Sequence, residues 1–143
     1  MAGAGFVLYR EFQDGIKFLG LIGPEFHQKR CNGKYDVPKG VVDDSDNTHF
    51  DTAIREAWEE AGYVITNNVV QAGPYKDGLL SIWLAQVFKD PVIKPNPETG
   101  IVEHSGYDWL TPEELSKKCY NYLTPSILWA SGITEGVNER KRT

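Results

Sequence analysis

Residues 40 to 63 read GVVDDSDNTHFDTAIREAWEEAGY, and this stretch decides the fold. Its apolar residues recur at the spacing of one helix face: Phe50, Ile54, Ala57 and Ala61, widened by Ala53 and Trp58. We therefore expect an amphipathic helix over Thr48–Ala61. Three polar residues can cap its start: Asp46, Asn47 and Thr48. Gly62 stands where the helix would end.

Three carboxylates of the same stretch, Glu56, Glu59 and Glu60, fall at i, i+3 and i+4 and so share one helix face. That face is centred well over about 90° from the apolar one, so we expect it to point away from the core. Like charges at these spacings repel by roughly 0.2–0.5 kcal/mol per pair, which a bound divalent cation would relieve. The alternative is a solvated surface helix in which Arg55 pairs with Asp51 and Glu59.

The flanking residues decide between these alternatives. The dipeptides Arg55-Glu56, Glu59-Glu60 and Gly62-Tyr63, preceded by Pro38-Lys39-Gly40, resemble the Nudix hydrolase signature G-x5-E-x7-R-E-U-x-E-E-x-G-U, in which U is apolar or aromatic. The resemblance covers about residues 3 to 135. It implies an α+β fold of the Nudix type, an α/β/α sandwich with a mixed β-sheet between helices.

The chain departs from the signature at one point. The loop between Gly40 and Arg55 is one residue longer, and the first Glu of the signature is replaced by Asp46 or Asn47, depending on the direction of counting. In the family that Glu mainly braces the loop by pairing with the arginine of the motif. We therefore expect Asp46 or Asp44 to pair with Arg55 instead.

The resemblance implies a metal-dependent hydrolysis of a phosphoanhydride bond, with Mg²⁺ or Mn²⁺ as the cofactor. Hard oxygen ligands suit these ions better than zinc, which favours Cys and His. Glu59 and Glu60 would bind the metal together with the Gly40 carbonyl, and Glu56 would orient or deprotonate the attacking water. Arg55 belongs to the same catalytic motif. The implied metal group as a whole is Gly40, Glu56, Glu59, Glu60 and Glu103.

Other site candidates lie outside the helix. Glu103 stands where many Nudix enzymes carry a further acidic residue, as an extra ligand or as the general base. His104 follows it and is expected to contact a phosphate or to assist proton transfer. Lys39 is expected to offer its ammonium group to phosphate oxygens. Weaker candidates for the phosphate chain are Arg30, Lys34 and Lys76.

Within the family the nearest likeness is to the asymmetric dinucleoside tetraphosphate hydrolases, which convert diadenosine tetraphosphate to ATP and AMP. It is carried by Tyr35, by the run Ile82–Ala85 and by the run Glu103–Trp109, which reads EHSGYDW. Adenine binding would need an exposed ring for stacking, and the candidates are Tyr35, Tyr75 and Tyr107. Trp83 and Trp109 are expected in the core instead. A 5′-triphosphorylated RNA end, ADP-ribose, or a nucleotide-sensing module without catalysis stay open as alternatives.

Composition sets the remaining limits. The 143 residues are expected to form one domain over 1–143, and 41% hydrophobic with 24% charged residues is ordinary for a globular protein. The net charge of −5 argues against broad binding to nucleic acid. We expect no membrane span and no signal peptide, and free thiols at Cys31 and Cys119 in a reducing cytoplasm. The sequence is silent on oligomeric state.

Alternating apolar runs predict the other elements. The expected strands are Ala4–Tyr9 and Lys17–Ile22, joined around Asp14-Gly15, then Lys34–Val37, Val69–Ala72, Leu79–Phe88 and Tyr107–Leu110. Pro38-Lys39-Gly40 is expected as a turn, and Lys89–Gly100 as a loop. Helices are expected to start at Thr111-Pro112 and to span about Pro125–Ser131, followed by a frayed tail over Glu139–Thr143.

Overall fold

The structure, a computed structural model, describes residues 1–70, 73–95 and 99–142, with side chains up to residue 137. Its strands are β1 (Gly3–Phe12), β2 (Gly15–Ile22), β3 (Lys39–Val41), β4 (Tyr75–Asp77), β5 (Leu80–Gln86) and β6 (Gly106–Leu110). Its helices are α1 (His49–Ala61), α2 (Pro112–Lys118) and α3 (Thr124–Arg142), with a 3-10 turn at Asn121–Leu123 before α3.

The described strands form one mixed sheet in the order β4-β5-β1-β2-β6, with β3 also paired to β1. β1 and β5 are parallel, and the other pairs are antiparallel. The chain reaches β5 from β1 by way of α1, which gives it the length that a parallel connection needs. β1 and β2 form the hairpin expected around Asp14-Gly15, where Gly15 takes a φ of 128°.

Both faces of the sheet are covered, because successive residues of β1 point to opposite sides. Phe6 and Leu8 pack with the apolar residues of α1, whereas Val7 and Tyr9 pack with residues of α2 and α3. This is the α/β/α sandwich that the sequence predicts. Among the described residues, no helix combines the length and apolarity that crossing a membrane requires.

The local signals around α1 act as the sequence predicts. Thr48 caps its start by accepting a hydrogen bond from the Asp51 amide, and the Asp51 carboxylate accepts one from the Thr48 amide. Such a cap contributes roughly 1 kcal/mol. Gly62 ends the helix in the left-handed conformation, with a φ of 74°. The helix therefore has firm ends on both sides of the acidic face.

Several expected elements are wrong in kind or extent. Pro38-Lys39-Gly40 is not a turn, since Lys39 and Gly40 begin β3, and 34–37 contributes only isolated bridges at Tyr35 and Asp36. Residues 69–72 contribute one described bridge, from Val69 to Ala85, while 71 and 72 lie outside the described residues. β4 was not predicted. In each case pairing with a distant strand, rather than local sequence, decides the outcome.

The C-terminal helix is longer than expected, since α3 continues to Arg142 instead of ending near Ser131. The tail predicted to be frayed is therefore helical up to that residue, and Thr143 lies outside the described part. No helix or strand occurs in the described parts of the 89–100 loop, 89–95 and 99–100. Both cysteines are free and buried.

The tryptophans differ from expectation at one position. Trp83 and Trp109 pack against the α1 side of the core, as predicted, although both are only half-buried. Trp58 was expected to widen the apolar face of α1, but 45% of it is exposed. Lys94 places its ammonium nitrogen 3.3 Å from the centroid of the Trp58 ring, so a cation–π contact replaces core packing there.

Candidate functional site

The site begins where β3 passes over the acidic face of α1. Gly40 lies so close to Glu56 that a Cβ atom at position 40 would stand 2.0 Å from Glu56 Oε1 and 2.3 Å from Cδ. β3 is held there by its pairing with β1, in which Gly40 stands opposite Ala4. A glycine is therefore required at position 40 for the strand to approach the carboxylate.

The three carboxylates of the motif are buried, not turned toward solvent as the helix pattern predicts. Glu56, Glu59 and Glu60 are 8%, 8% and 7% exposed. The expectation was wrong because the angle around a helix axis says nothing about what covers the far side. Here β3 and the segment containing His104 lie over that side.

Arg55 organises the outer part of this acidic face. Its Nε donates to Asp46 Oδ1 at 3.2 Å and its Nη2 to Oδ2 at 2.9 Å. Its Nη1 donates to Glu56 Oε1 at 3.0 Å and to Glu59 Oε2 at 3.1 Å. The predicted replacement of the missing Glu by Asp46 is confirmed, whereas Asp51 serves the helix cap and not Arg55. The Arg55 hydrogen bonds hold the pKa of Asp46 far below its usual range.

The inner carboxyls resist ionisation. Burial raises the pKa of Glu56, against the opposing effect of Arg55. Burial also raises the pKa of Glu60, and the charges of Glu56 and Asp36 raise it further, while the Lys39 amide, which donates to Glu60 Oε2 at 2.7 Å, partly offsets the rise. A buried group of oxygen ligands with raised pKa values fits a hard divalent cation, whose charge would favour their ionised forms.

His104 lies at the inner edge of the acidic face and is 5% exposed. Its Nδ1 stands 3.6 Å from Glu60 Oε1 and its Nε2 stands 3.8 Å from Asp36 Oδ2. Asp36 also contacts the Lys39 ammonium group, with Oδ1 at 3.2 Å, and accepts a hydrogen bond from the Val37 amide at 2.8 Å. Asp36 was not predicted, because a lone Asp before Val-Pro carries no motif.

The structure gathers a subset of the expected metal group. One ligand atom from each of Glu60, Glu103 and His104 lies within 4.8 Å of the others. Glu56 and Glu59 accept hydrogen bonds from Arg55, and Glu56 also contacts the Glu60 side chain. The set includes His104, a nitrogen ligand that was not predicted to bind metal.

Among the cavities that border this region in the described part of the chain, two contact Tyr122. One, of about 310 Å³, is mainly apolar, and its lining includes Lys39, Gly40, Leu80 and Tyr122. The other, of about 390 Å³, is lined in part by Asp36, Glu103 and His104, and Tyr122 borders it as well. Tyr122 is half-exposed, and the Lys39 Nζ stands 5.4 Å from its ring centroid. Tyr122 was not predicted, because its aromatic ring was the only signal in the sequence.

The predicted stacking tyrosines are less accessible than expected. Tyr35 is buried, and its hydroxyl donates to Asp108, so it offers no open ring face. Tyr75 is half-buried, with its ring centroid 5.8 Å from that of Trp129. Tyr107 is half-buried and packs against the α1 side of the core.

The predicted phosphate-chain cations lie in separate places. Arg30 pairs with Glu25 at 2.6 Å on the surface, and Lys76 is exposed in β4. Lys34 is half-buried. Among these predicted cations, Lys39 lies at the site. Its amide donates to Glu60, and its ammonium group pairs with Asp36.

The sandwich and the carboxylate-lined helix agree with the class shown by the family match, pyrophosphohydrolases that act on nucleoside diphosphate derivatives. The NUDIX domain model matches residues 2–128, and the chain belongs to the Nudix hydrolase family. No curated protein sequence matches it.

Solved structures share the fold at low sequence identity. A C. elegans Ap4A hydrolase binary complex is 24% identical with a TM-score of 0.70, covering 94% of this chain and 98% of that one. The MutT protein of Methanosarcina mazei Go1 is 20% identical with a TM-score of 0.62, covering 91% of each chain. The NUDIX domain of Shewanella oneidensis NrtR, solved with ADP ribose, is 16% identical with a TM-score of 0.56, covering 98% of this chain and 87% of that one.

Proposed function

We propose that the chain, acting as a single domain over residues 1–143, hydrolyses a phosphoanhydride bond with Mg²⁺ or Mn²⁺, and that its substrate is diadenosine tetraphosphate, cleaved to ATP and AMP. The observation that carries the hydrolytic proposal is the packing of β3 onto the acidic face of α1. It buries Glu56 against Gly40 and directs the Lys39 amide onto Glu60. The single Arg55 guanidinium offsets only part of the charge of three carboxylates buried on one helix face, and a bound cation would offset the rest.

Glu59, Glu60 and Glu103 would hold the metal, with the carbonyl of Gly40 as a further ligand and Glu56 at the edge of the group. Once bound, the ion would neutralise charge on the substrate phosphates and lower the pKa of a coordinated water.

Glu56 is suited to orient or deprotonate the attacking water. Burial raises its pKa, which makes it a stronger proton acceptor once it is ionised. The Arg55 hydrogen bond at 3.0 Å and the contact with Gly40 fix its position. Lys39 would contribute its ammonium group to phosphate oxygens, and Asp36 keeps that group in place at 3.2 Å.

The adenosine assignment is supported by the cavity of about 310 Å³ beside Lys39 and Gly40. Its lining combines apolar side chains with the half-exposed ring of Tyr122, which can stack on a base. Tyr122 thereby takes the role expected of Tyr35, whose ring is buried. The run Glu103–Trp109 and the fold shared with the C. elegans Ap4A hydrolase agree with this choice.

The test is hydrolysis of a panel with Mg²⁺ and then Mn²⁺: diadenosine tetraphosphate, ADP-ribose, a nucleoside triphosphate and a 5′-triphosphorylated RNA, with products resolved by chromatography. We expect ATP and AMP from diadenosine tetraphosphate, well above turnover of the others. Glu59→Ala should lower that turnover by orders of magnitude, whereas Glu113→Ala, at an exposed carboxylate of α2, should not. Unchanged turnover in Glu59→Ala would refute the mechanism.

Two alternatives have specific support. ADP-ribose is the ligand of the Shewanella NUDIX domain, so cleavage of ADP-ribose above the other substrates would favour a pyrophosphatase of that class. The replaced first Glu of the motif favours a nucleotide-sensing module, and binding of a nucleotide without turnover with either metal would support it. Preferred cleavage of the RNA would favour a 5′-pyrophosphohydrolase.

A further inference from the structure

The imidazole of His104 stands out among the buried polar groups. Within the described part of the chain, its Nδ1 is the one buried side-chain nitrogen or oxygen without a hydrogen-bond partner. The residue is 5% exposed and borders the cavity of about 390 Å³. Leaving a buried polar atom unpaired is destabilising, so its position calls for a ligand.

We infer that Glu60, Glu103 and His104 form a mixed oxygen–nitrogen metal site that selects a divalent first-row transition ion over Mg²⁺. The inference rests on the proposed function only in expecting a metal near Glu60, and it is independent of the substrate. It goes beyond the carboxylate and carbonyl group expected from the motif, because it adds a nitrogen ligand from outside α1 and changes which ion the site prefers.

The distances fit a shared ion better than a direct contact. Nδ1 and Glu60 Oε1 are 3.6 Å apart, too far for a hydrogen bond, which needs about 2.7–3.2 Å. Two ligand atoms each about 2.0–2.2 Å from one ion are separated by roughly 2.8–4.4 Å, depending on the angle between them. Glu103 completes the group, since one ligand atom from each of the three residues lies within 4.8 Å of the others.

The surroundings orient both ligands. Glu60 Oε2 accepts from the Lys39 amide, its carboxyl also contacts the Glu56 side chain, and its Oε1 lies 3.6 Å from Nδ1 of His104. The carboxylate of Asp36 lies 3.8 Å from Nε2 of His104, whereas Nδ1 is the ring nitrogen that faces Glu60. Asp36 is itself held by the Val37 amide and the Lys39 ammonium group. A carboxylate behind a histidine is the usual support of a metal-binding imidazole.

The nitrogen ligand sets the selectivity. Mg²⁺ prefers an all-oxygen octahedron and retains its waters, whereas imidazole binds first-row transition ions more strongly. The site should therefore bind Co²⁺ and Mn²⁺ more tightly than Mg²⁺, and the difference should depend on His104.

The first test is pulsed electron paramagnetic resonance on tag-free protein loaded with Mn²⁺, without substrate. We expect ¹⁴N modulation in the wild type that changes when histidine is labelled with ¹⁵N. The chain has three histidines, so the double variant H27Q/H49Q leaves His104 as the sole one and should keep the signal. His104→Gln should remove it.

The second test compares Co²⁺ and Mg²⁺ binding by calorimetry. His104→Gln should weaken Co²⁺ binding by at least about tenfold and leave Mg²⁺ binding nearly unchanged. His49→Gln, an exposed histidine at the start of α1, is the control and should change neither affinity.

A wild-type spectrum without histidine nitrogen, a signal that persists in folded His104→Gln, or an unchanged ratio of Co²⁺ to Mg²⁺ affinity would each overturn the inference. If His104→Gln does not fold, the H27Q/H49Q spectrum decides by itself. Because metal binding is measured without turnover, a protein that hydrolyses no substrate can still pass these tests. A protein that hydrolyses diadenosine tetraphosphate with Mg²⁺ can still fail them.

Discussion

Replacing Gly40 with alanine adds a methyl group at the point where β3 meets the acidic face. The new Cβ would stand 2.0 Å from Glu56 Oε1, whereas ordinary contact begins at 3.4 Å, so the carboxylate must retreat by about 1.4 Å (3.4 − 2.0). A misplacement of about 1 Å can cost roughly 10²-fold in rate. We therefore expect Gly40→Ala to lower kcat about a hundredfold.

The fold should survive this substitution, because the clash is with the end of a flexible side chain. Gly5→Ala is the contrasting variant: its Cβ would stand 2.2 Å from the backbone carbonyl oxygen of Pro38, which cannot move without displacing β3. Gly106→Ala is the neutral control, since its nearest neighbour is Ile22 Cδ1 at 3.8 Å.

The assay is steady-state hydrolysis of diadenosine tetraphosphate by the three variants, with thermal unfolding followed in parallel. We expect Gly40→Ala to melt near the wild type but turn over slowly, Gly106→Ala to match the wild type in both, and Gly5→Ala to melt much lower. A folded Gly40→Ala protein that keeps at least half of the wild-type kcat would refute the argument that the placement of Glu56 controls the reaction.

Three further predictions concern stability. Asp46→Asn removes a charged partner of Arg55 and should lower the free energy of unfolding by about 1–2 kcal/mol at pH 7. Because the pKa of Asp46 is depressed in the folded state, this loss should fade as the pH falls below about 4. Chemical denaturation across this pH range is the measurement, and a loss that stays constant with pH would contradict the prediction. Tyr35→Phe should cost about 1 kcal/mol below pH 10. Burial and then Asp108 raise the pKa of Tyr35 from 10.0 to about 12, so the protonated hydroxyl stabilises the fold fully below pH 10. The stability deficit of Tyr35→Phe should therefore shrink as the pH rises toward 12. A deficit that grows over this range would contradict the prediction. Gly132→Ala, in α3 with no atom within 4 Å of the added Cβ, should raise the free energy of unfolding by about 0.5–1 kcal/mol, and a lower melting temperature would argue against an open helical surface there.

The sequence predicted the parts of the site that depend on neighbouring residues. The boundaries of α1 follow from the Thr48 cap and from Gly62, and both act within one helical turn. The pairing of Arg55 with Asp46 follows from a short loop that returns onto its own helix. The order of β1, β2, α1, β5, β6 and the later helices also follows, because periodicity and turn residues are local signals, whereas β3 and β4 were missed.

The sequence by itself therefore determined the family, the acidic helix face and most elements of the sandwich. Only the tertiary structure decided that Glu56, Glu59 and Glu60 are buried, that Gly40 must lack a side chain, and that Asp36, His104 and Tyr122 meet beside them. These facts depend on pairing between residues far apart in the chain: β3 with β1, and the His104 segment against Glu60. Helical periodicity specifies which residues share a face, but the free energy of each charge on that face depends on what the rest of the fold places over it.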